Sequence, residues 1–447
     1  MRPTAVHETL RRHQLADGFE MVLDLERSQG SWLHDSLTGE DFLDFFTCFA
    51  SWPLGYNHPA TMDADFRAEI ELVARNKPSN SDLYTTQMAE FVERFAGSVT
   101  PAGFPYHFWI SGGALAVENA LKTAFDWKAR KVGPATTEDG NRLVVLHFRQ
   151  AFHGRSGYTL SLTNTVPDKI ALFPKFPWPR VHNPAVEFDL DGGVANDIES
   201  EERQACDEIE AAFREHAGLV AAIIIEPMQG EGGDNHFRPE FLAKLRGYAD
   251  EHEALLIYDE IQTGFYGSGK AWMWQHHDVP PDIACFGKKT QVCGIYASQR
   301  LDEVEGHVFK TSSRINSTWG GNLVDMVRCR KFIEIIQEED LADNVAKRGA
   351  ELVLGLRELA HEGRSMSNVR GVGSLVAFTL ETPEARDEAL KALAAKRLLA
   401  LASGPKSVRF RLPLVVSERE IQMALERIAD SIPCLERTAP EPVAQGA

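Results

Sequence analysis

Three segments of the chain place polar or charged residues directly after apolar runs typical of buried strands. Ser111-Gly112-Gly113-Ala114 follows such a run and precedes a helical pattern, so its free N–H groups could hold a phosphate. Asp259 follows the run 255–258, where open α/β sheets place their ligands, and its carboxylate could meet a cationic ring nitrogen. Lys288 follows the run 283–286, where an amine with a lowered pKa could act as a Schiff-base nucleophile.

Each segment also has a simpler interpretation. Gly112 and Gly113 would serve equally well in a tight strand-to-helix turn, and Asp259 could cap the next helix. Lysines are common on surfaces, and Lys289 is a rival to Lys288 because neighbours on an extended segment point to opposite sides. Taken in order, however, the phosphate cradle, the acid and the lysine are what pyridoxal 5′-phosphate requires of a protein. The sequence therefore favours a pyridoxal-phosphate site, with Lys289 expected to be solvated or structural.

The elements that would position these segments alternate along the chain. Apolar runs at 108–110, 143–146, 220–225, 255–258 and 283–286 are separated by helical patterns, which predicts a parallel sheet covered by helices. From about Asn322 the pattern changes to two helices followed by short strands near 375–380 and 408–412. We therefore expect a separate α+β domain at the C-terminal end.

Composition and charge exclude several classes of partner. The 447 residues include 47 Lys and Arg and 65 Asp and Glu, and the resulting net charge of −18 disfavours a nucleic-acid partner. The N-terminus lacks the apolar core of a secretory signal, and the longest aliphatic run, 219–225, is far too short for a membrane span. We expect a cytoplasmic protein without a membrane partner. Six cysteines without a C-x-x-C pair give no reason to expect a metal site, and no G-x-G-x-x-G motif supports an NAD enzyme.

Longer segments around the three signals resemble the class III aminotransferases, which are fold-type I pyridoxal-phosphate enzymes, and among them most closely the L-lysine 6-aminotransferases. The likeness covers segments 76–82, 112–122, 151–165, 229–241, 286–294 and 316–322. Many members of the family have Ser-Gly-Thr-Glu where this chain has Ser111-Gly112-Gly113-Ala114. The lysine branch shares the Gly-Gly-Ala form, so backbone N–H groups would have to hold the phosphate.

The resemblance implies an α/β fold with a large, mainly parallel, seven-stranded sheet domain, a smaller α+β C-terminal domain and an N-terminal segment. We expect residues 1–60 to form the N-terminal segment and to pack with the small domain. Residues 61–325 would form the pyridoxal-phosphate domain, 326–437 the C-terminal domain and 438–447 a frayed tail.

The resemblance also implies roles at the cofactor. Lys288 would bond covalently to the cofactor and move the proton, while Asp259 would pair with the pyridine nitrogen. The other cofactor-binding residues would be Gly113 and Ala114 at the phosphate, Phe152 on the ring, Gln262 at the phenolic oxygen, Glu226 nearby, and Thr318 at the phosphate of the neighbouring subunit in a homodimer. The active sites would then lie at the subunit interface.

Substrate recognition would rest on two arginines and a glutamate. Arg155 would hold the substrate α-carboxylate, and Arg409 would bind the carboxylate of 2-oxoglutarate next to the reacting carbon. Glu231 would neutralise Arg409 in the amine half-reaction and swing away for the keto acid, with Asn316 and Gln262 as further substrate contacts. An ordinary salt bridge between Glu231 and Arg409 is the alternative.

The implied reaction transfers the ε-amino group of L-lysine to 2-oxoglutarate. Its products are L-glutamate and 2-aminoadipate 6-semialdehyde, which would cyclise to piperideine-6-carboxylate. Ornithine and 4-aminobutyrate remain alternative amine donors, because pockets that differ by one or two methylenes discriminate weakly. A non-catalytic binding protein of the same fold is a further alternative, although it would be expected to lack the lysine, the acid or the arginines.

Overall fold

The computed structural model describes residues 1–434, so the expected tail at 438–447 and the last residues of the expected C-terminal domain, 435–437, lie outside the described residues. The strands are β1 (Leu23–Gln29), β2 (Trp32–Asp35), β3 (Asp41–Asp44), β4 (Tyr106–Ile110), β5 (Val144–Phe148), β6 (Arg180–Val181), β7 (Val220–Ile225), β8 (Leu255–Asp259), β9 (Ile283–Phe286), β10 (Cys293–Ala297), β11 (Ser367–Val372), β12 (Leu375–Thr379), β13 (Leu398–Leu399), β14 (Leu401–Ser403) and β15 (Ser407–Arg411). They form three sheets.

Helices connect and cover these sheets. They are α1 (Val6–Arg11), α2 (Thr47–Ala50), α3 (Ala64–Arg75), α4 (Thr86–Ser98), α5 (Gly113–Val132), α6 (Pro134–Thr137), α7 (Gly157–Leu162), α8 (Ile198–Glu215), α9 (Pro239–Glu251), α10 (Leu323–Glu338), α11 (Leu341–His361), α12 (Pro383–Ala395) and α13 (Glu418–Ser431). In the described part of the chain, none is long and apolar enough to cross a membrane.

The central sheet has seven strands in the order β4-β10-β9-β8-β7-β5-β6. β10 runs antiparallel to both of its neighbours, and the other adjacent pairs are parallel. The expected mainly parallel sheet is thereby confirmed. Sequence reasoning missed β6, which has two residues, and β10, in which Gly294 interrupts the strand pattern. A Cβ at Gly294 would lie 2.2 Å from the carbonyl oxygen of Phe108, so the close approach of β4 requires the glycine.

Helices cover both faces of this sheet. All six residues of β7 are buried, which explains their continuous apolar run. The β7 residues are divided between two core clusters: Ile223 packs in the cluster that contains Leu245 of α9, and Ile224 packs in the cluster that contains Leu121 of α5. The interior on either side of the sheet is therefore apolar, and polar groups gather where the strands end.

The two remaining sheets have four strands each, in the orders β1-β2-β3-β13 and β11-β12-β15-β14. β13 pairs in parallel with β3, with Leu398 opposite Leu43, so strands from both ends of the chain share one sheet. In β15, Phe410 packs in the core while Arg409 and Arg411 lie on the opposite face of the strand. The boundaries after residues 60 and 325 stay a prediction.

The strand order brings the three segments of interest to one edge of the central sheet. β8 and β9 are parallel, so Asp259 at the end of β8 and Lys288 just after β9 lie at the same edge. β4 is antiparallel to β10, which is antiparallel to β9, so β4 also ends at this edge. Ser111 and Gly112 follow β4 and lead into α5. This is the edge at which open α/β sheets bind ligands.

Candidate active site

A cavity of about 310 Å³ opens at this edge. Its walls bring together nine of the predicted site residues: Gly113, Ala114, Phe152, Arg155, Glu226, Glu231, Asp259, Gln262 and Lys288. Arg409 is not part of the cavity lining, but it donates a hydrogen bond to Gln262, which is. Asn316 and Thr318 belong to a segment outside the cavity lining.

Lys288 reaches the cavity from a strained backbone position. Its φ of 53° lies in the left-handed region, which is uncommon for a residue with a side chain and is often found at functional sites. Burial of the amine, together with the nearby guanidinium groups of Arg409 and Arg411, lowers the pKa of Lys288 to about 8. Lys289 is buried, not solvated, and its Nζ donates to the carbonyl oxygen of Gln262 at 2.5 Å.

Asp259 is fixed by two donors. His153 Nδ1 donates to Asp259 Oδ2 at 2.8 Å, and the backbone N–H of Ile261 donates to Oδ1 at 3.1 Å. Turns, and not a helix, follow Asp259, so the helix-cap interpretation is wrong. Sequence reasoning missed His153, although it lies beside Arg155 in a segment that already carried the family resemblance.

Glu226 lies after β7 and faces the same cavity. Its carboxylate accepts hydrogen bonds from the backbone N–H groups of Phe152 and Gly230, both at 3.0 Å. Burial raises the pKa of Glu226 to about 7, against the opposing effect of His153. Glu226 therefore also holds the loop that carries Phe152 against the cavity.

The N-terminus of α5 forms one wall of the cavity. Gly112 precedes it with a φ of 111°, a conformation that a side chain would strain. The first N–H groups of a helix have no partner inside the helix, and the helix dipole favours an anion beside them. The loop that follows β5 packs closely against this end of α5. The packing leaves no room for a side chain at Gly154, since a Cβ there would come within 2.6 Å of Ala114 Cβ.

Glu118, one turn into α5, was missed by sequence reasoning as a functional residue. Its Oε1 accepts a hydrogen bond from Ser156 Oγ and another from the backbone N–H of Tyr158, both at 2.8 Å. These bonds fix the start of α7 against α5. Arg155, which immediately precedes Ser156, is thereby positioned at the cavity with an exposed guanidinium.

Gln262 joins the cavity to two buried arginines. Its Oε1 accepts from Arg409 at 3.1 Å and from Arg411 at 2.6 Å, so its amide nitrogen remains the donor. Arg411 also forms an ion pair of 2.6 Å with Asp234. Burial and the charge of Arg411 lower the pKa of Arg409 to about 10. Sequence reasoning missed Arg411 and Asp234, which give no signal distinct from other charged residues.

Glu231 is held by partners other than Arg409. Its Oε1 accepts from Lys169 Nζ at 2.5 Å and from Thr165 Oγ1 at 2.7 Å. Among the described residues Arg409 forms no ion pair with a carboxylate, so the ordinary salt bridge between Glu231 and Arg409 is absent. Lys169 and Thr165 were not singled out in the sequence.

Asn316 and Thr318 belong to a segment held by the chain near residue 80. Ser79 Oγ donates to the carbonyl oxygen of Thr318 at 2.5 Å, and Ser81 Oγ donates to that of Ser317. Trp319, which lies next to Thr318, is 44% exposed. The segment is therefore well anchored in its own chain while presenting residues outward.

The residues around the cavity fit pyridoxal phosphate. The helix N-terminus suits a phosphate, the Asp259 carboxylate suits a cationic ring nitrogen, and the amide nitrogen of Gln262 suits an anionic oxygen. An amine with a lowered pKa, such as that of Lys288, is suited to bonding an aldehyde. A mainly parallel sheet with this set of groups at one edge defines a fold-type I pyridoxal-phosphate aminotransferase.

The chain belongs to the class III aminotransferases, a family that matches residues 15–432. It is 49% identical over 433 residues to the L-lysine-epsilon aminotransferase of Mycobacterium tuberculosis, with 96% of each chain covered. A structure of a lysine aminotransferase from M. tuberculosis superposes with a TM-score of 0.92, 48% identity, and 96% and 99% of the two chains covered. The 4-aminobutyrate aminotransferase of Schizosaccharomyces pombe is 31% identical, with 96% and 93% covered. The family uses pyridoxal phosphate, which is therefore the cofactor of this enzyme.

The lowered pKa of Lys288 predicts how the apoprotein takes up its cofactor. Only the neutral amine is nucleophilic, so the rate of covalent uptake of pyridoxal phosphate should rise with pH and level off above about pH 8. Stopped-flow absorbance of apoprotein mixed with the cofactor measures this rate. A rate that continues to rise towards pH 10 would show that the amine has an ordinary lysine pKa.

Proposed function

We propose that the enzyme transfers the ε-amino group of L-lysine to 2-oxoglutarate, giving 2-aminoadipate 6-semialdehyde and L-glutamate. The observation that carries this proposal is the 49% identity to L-lysine-epsilon aminotransferases over 96% of the chain. The semialdehyde would cyclise with its own α-amine to piperideine-6-carboxylate. The 31% identity to a 4-aminobutyrate aminotransferase makes another ω-amine the second candidate.

Binding of the cofactor is assigned to the residues that surround the cavity. Gly113 and Ala114 would donate backbone N–H groups to the phosphate, Asp259 would pair with the ring nitrogen, and Phe152 would lie against the ring. When bound, pyridoxal phosphate supplies an electron sink for the charge that develops at the reacting carbon. His153 would keep Asp259 oriented by its hydrogen bond of 2.8 Å.

Lys288 would move the proton. Its Nζ would hold the cofactor covalently and, once freed by the substrate amine, would act first as the base that takes the proton from the substrate ε-carbon and then as the acid that returns it. A pKa of about 8 suits both steps, because near neutral pH such an amine can accept and release a proton. The closeness of Arg409 and Arg411 contributes to this pKa.

The two substrates would use different cationic groups. Arg155, exposed at the cavity, would hold the α-carboxylate of lysine far from the ring, so that the terminal amine reaches the reacting position. Arg409 would bind the carboxylate of 2-oxoglutarate beside its keto carbon. Lysine has no carboxylate there, so Glu231 would neutralise Arg409 during that half-reaction.

We also propose a homodimer in which Asn316 and Thr318 serve the site of the partner subunit. In support, these residues lie outside the cavity lining of their own chain, and Leu115, beside the phosphate cradle, is 42% exposed. Tyr84, close to the segment that anchors Thr318, is 79% exposed. A second copy would cover such apolar side chains.

The substrate assignment is tested with lysine, ornithine and 4-aminobutyrate as competing donors for 2-oxoglutarate. We expect lysine to give the highest kcat/KM for glutamate formation, together with a cyclic imine that o-aminobenzaldehyde detects. Lys288→Ala should abolish turnover, because it removes both the covalent anchor and the proton carrier. A better rate with another donor would overturn the lysine assignment, and residual steady-state turnover in Lys288→Ala would overturn the role of Lys288.

The carboxylate clamp predicts an effect confined to one substrate. Arg155→Ala should raise the KM for lysine at least about tenfold, since a charged hydrogen bond is worth roughly 1.5–3 kcal/mol. The KM for 2-oxoglutarate should change much less. Initial rates with each substrate varied in turn measure both constants, and an unchanged KM for lysine would contradict the clamp.

The shared site predicts complementation between two inactive variants. A hybrid of a Lys288→Ala subunit and a Thr318→Ala subunit would contain one site with both defects and one intact site. Random reassociation of equal amounts should therefore restore about one quarter of the wild-type activity, as expected for a symmetric dimer. The variants are mixed under mild dissociating conditions and assayed after dialysis. Activity no higher than the mean of the separate variants would place Thr318 in its own subunit's site.

A further inference from the structure

Glu231 occupies the rim of the cavity between two cationic groups. It accepts hydrogen bonds from Lys169 Nζ at 2.5 Å and from Thr165 Oγ1 at 2.7 Å, and its side chain is 23% exposed. Both donors lie on the chain that follows α7. One carboxylate oxygen is thereby engaged by Lys169 and Thr165, and Glu231 forms no ion pair with Arg409.

Arg409 has no carboxylate within ion-pair distance among the described residues. It is 3% exposed, one of its terminal nitrogens donates to the neutral Gln262 Oε1, and its Nε has no partner in this part of the chain. The nearby Arg411 already has Asp234 as its ion-pair partner. A buried guanidinium in this situation gains strongly from an anion that enters the cavity.

Lys169 is held in place by contacts on two sides. It ends the short 3₁₀ helix Pro167–Lys169, where its backbone N–H donates to the carbonyl oxygen of Val166. Its Nζ lies 5.6 Å from the ring centroid of Phe152, which itself lines the cavity. The ammonium group is therefore positioned to hold Glu231, which forms no ion pair with Arg409.

We propose that Lys169 is a positioning residue that determines which substrate the site accepts, by holding Glu231 so that Arg409 is free for the carboxylate of the keto acid. In the structure Glu231 contacts Lys169 and Thr165 through Oε1 and forms no ion pair with Arg409, so we expect the two contacts to be alternatives. Loss of Lys169 lets Glu231 turn to Arg409, which opposes the keto acid and leaves lysine binding intact. This inference rests on the proposed function, in which Glu231 neutralises Arg409 for the amine substrate.

The test uses the holoenzyme and glutarate, a dicarboxylate that matches 2-oxoglutarate in length and cannot react. Lys169→Met retains the aliphatic stem over Phe152 and removes the charge. We expect calorimetry to give a Kd for glutarate about fivefold higher than that of the wild type, within the usual range for coupled sites. Lys169→Arg should bind glutarate like the wild type. Lys175→Met is the matched control, because Lys175 lies on the same loop and its Nζ donates to the carbonyl oxygens of Ile170 and Phe173 and not to Glu231.

The effect of Lys169→Met in an enzyme that already carries Glu231→Gln distinguishes positioning of Glu231 from a simple loss of charge. In Glu231→Gln, Lys169→Met should have no further effect on glutarate binding, because no carboxylate remains to be positioned. In steady-state assays of the single variant, the KM for 2-oxoglutarate should rise while that for lysine stays the same or falls. Three outcomes would overturn the proposal. Lys169→Met could weaken glutarate binding equally in the wild type and in Glu231→Gln, Lys175→Met could weaken it as much as Lys169→Met does, or Lys169→Met could leave it unchanged.

The outcomes also distinguish this inference from the proposed function. A wild-type enzyme that does not transfer an amine from lysine overturns the function, whereas the glutarate measurements still report on Lys169. If the wild-type enzyme transfers the amine, and Lys169→Met has the same two KM values and the same Kd for glutarate as the wild type, only the role of Lys169 is overturned. Failure of the wild-type holoenzyme to bind glutarate also overturns it.

Discussion

The parallel alignment of β8 and β9 is the constraint on which the rest of the site depends. Because both strands end at the same edge, Asp259 and Lys288 face one cavity although they are distant in sequence. The apolar cores on both faces of the sheet remove water from the strands and make charges near their ends interact strongly. A one-residue shift in the pairing of β9 would turn its side chains to the opposite faces and disrupt this arrangement.

The same low-polarity surroundings explain how an acidic protein presents a cationic site. The chain carries a net charge of −18, yet Lys288, Arg409 and Arg411 lie close enough for the two arginines to lower the pKa of the lysine. Asp234 compensates Arg411, and the neutral Gln262 joins both arginines without compensating either. Arg409 is therefore the buried arginine of this pair that has no ion-pair partner among the described residues, and a small anionic substrate is expected to bind there.

Much of this could be predicted from the sequence, because local signals mark the ends of buried strands. The apolar runs indicated five of the seven central strands, and the residues that follow them indicated the phosphate cradle, the acid and the lysine. Contacts between distant segments could not be predicted in this way. His153 meets Asp259, and Lys169 meets Glu231, only because separate loops converge at the sheet edge. β10 was missed because its glycine reflects the proximity of β4 and not a strand preference.

The partial exposure of Glu231 and Lys169 suits the proposed exchange, in which their contact breaks in each catalytic cycle. An ion pair between groups that are 23% and 29% exposed contributes only up to about 1 kcal/mol, since water screens it. A fully buried pair is far harder to disrupt, because removing one partner from such a pair costs about 3–5 kcal/mol. If Glu231 remained permanently against the buried Arg409, the keto acid would have to displace a pair of this second kind. The contact with Lys169 keeps Glu231 from forming such a pair when the keto acid binds. It is also weak enough to break when lysine binds and Glu231 returns to Arg409.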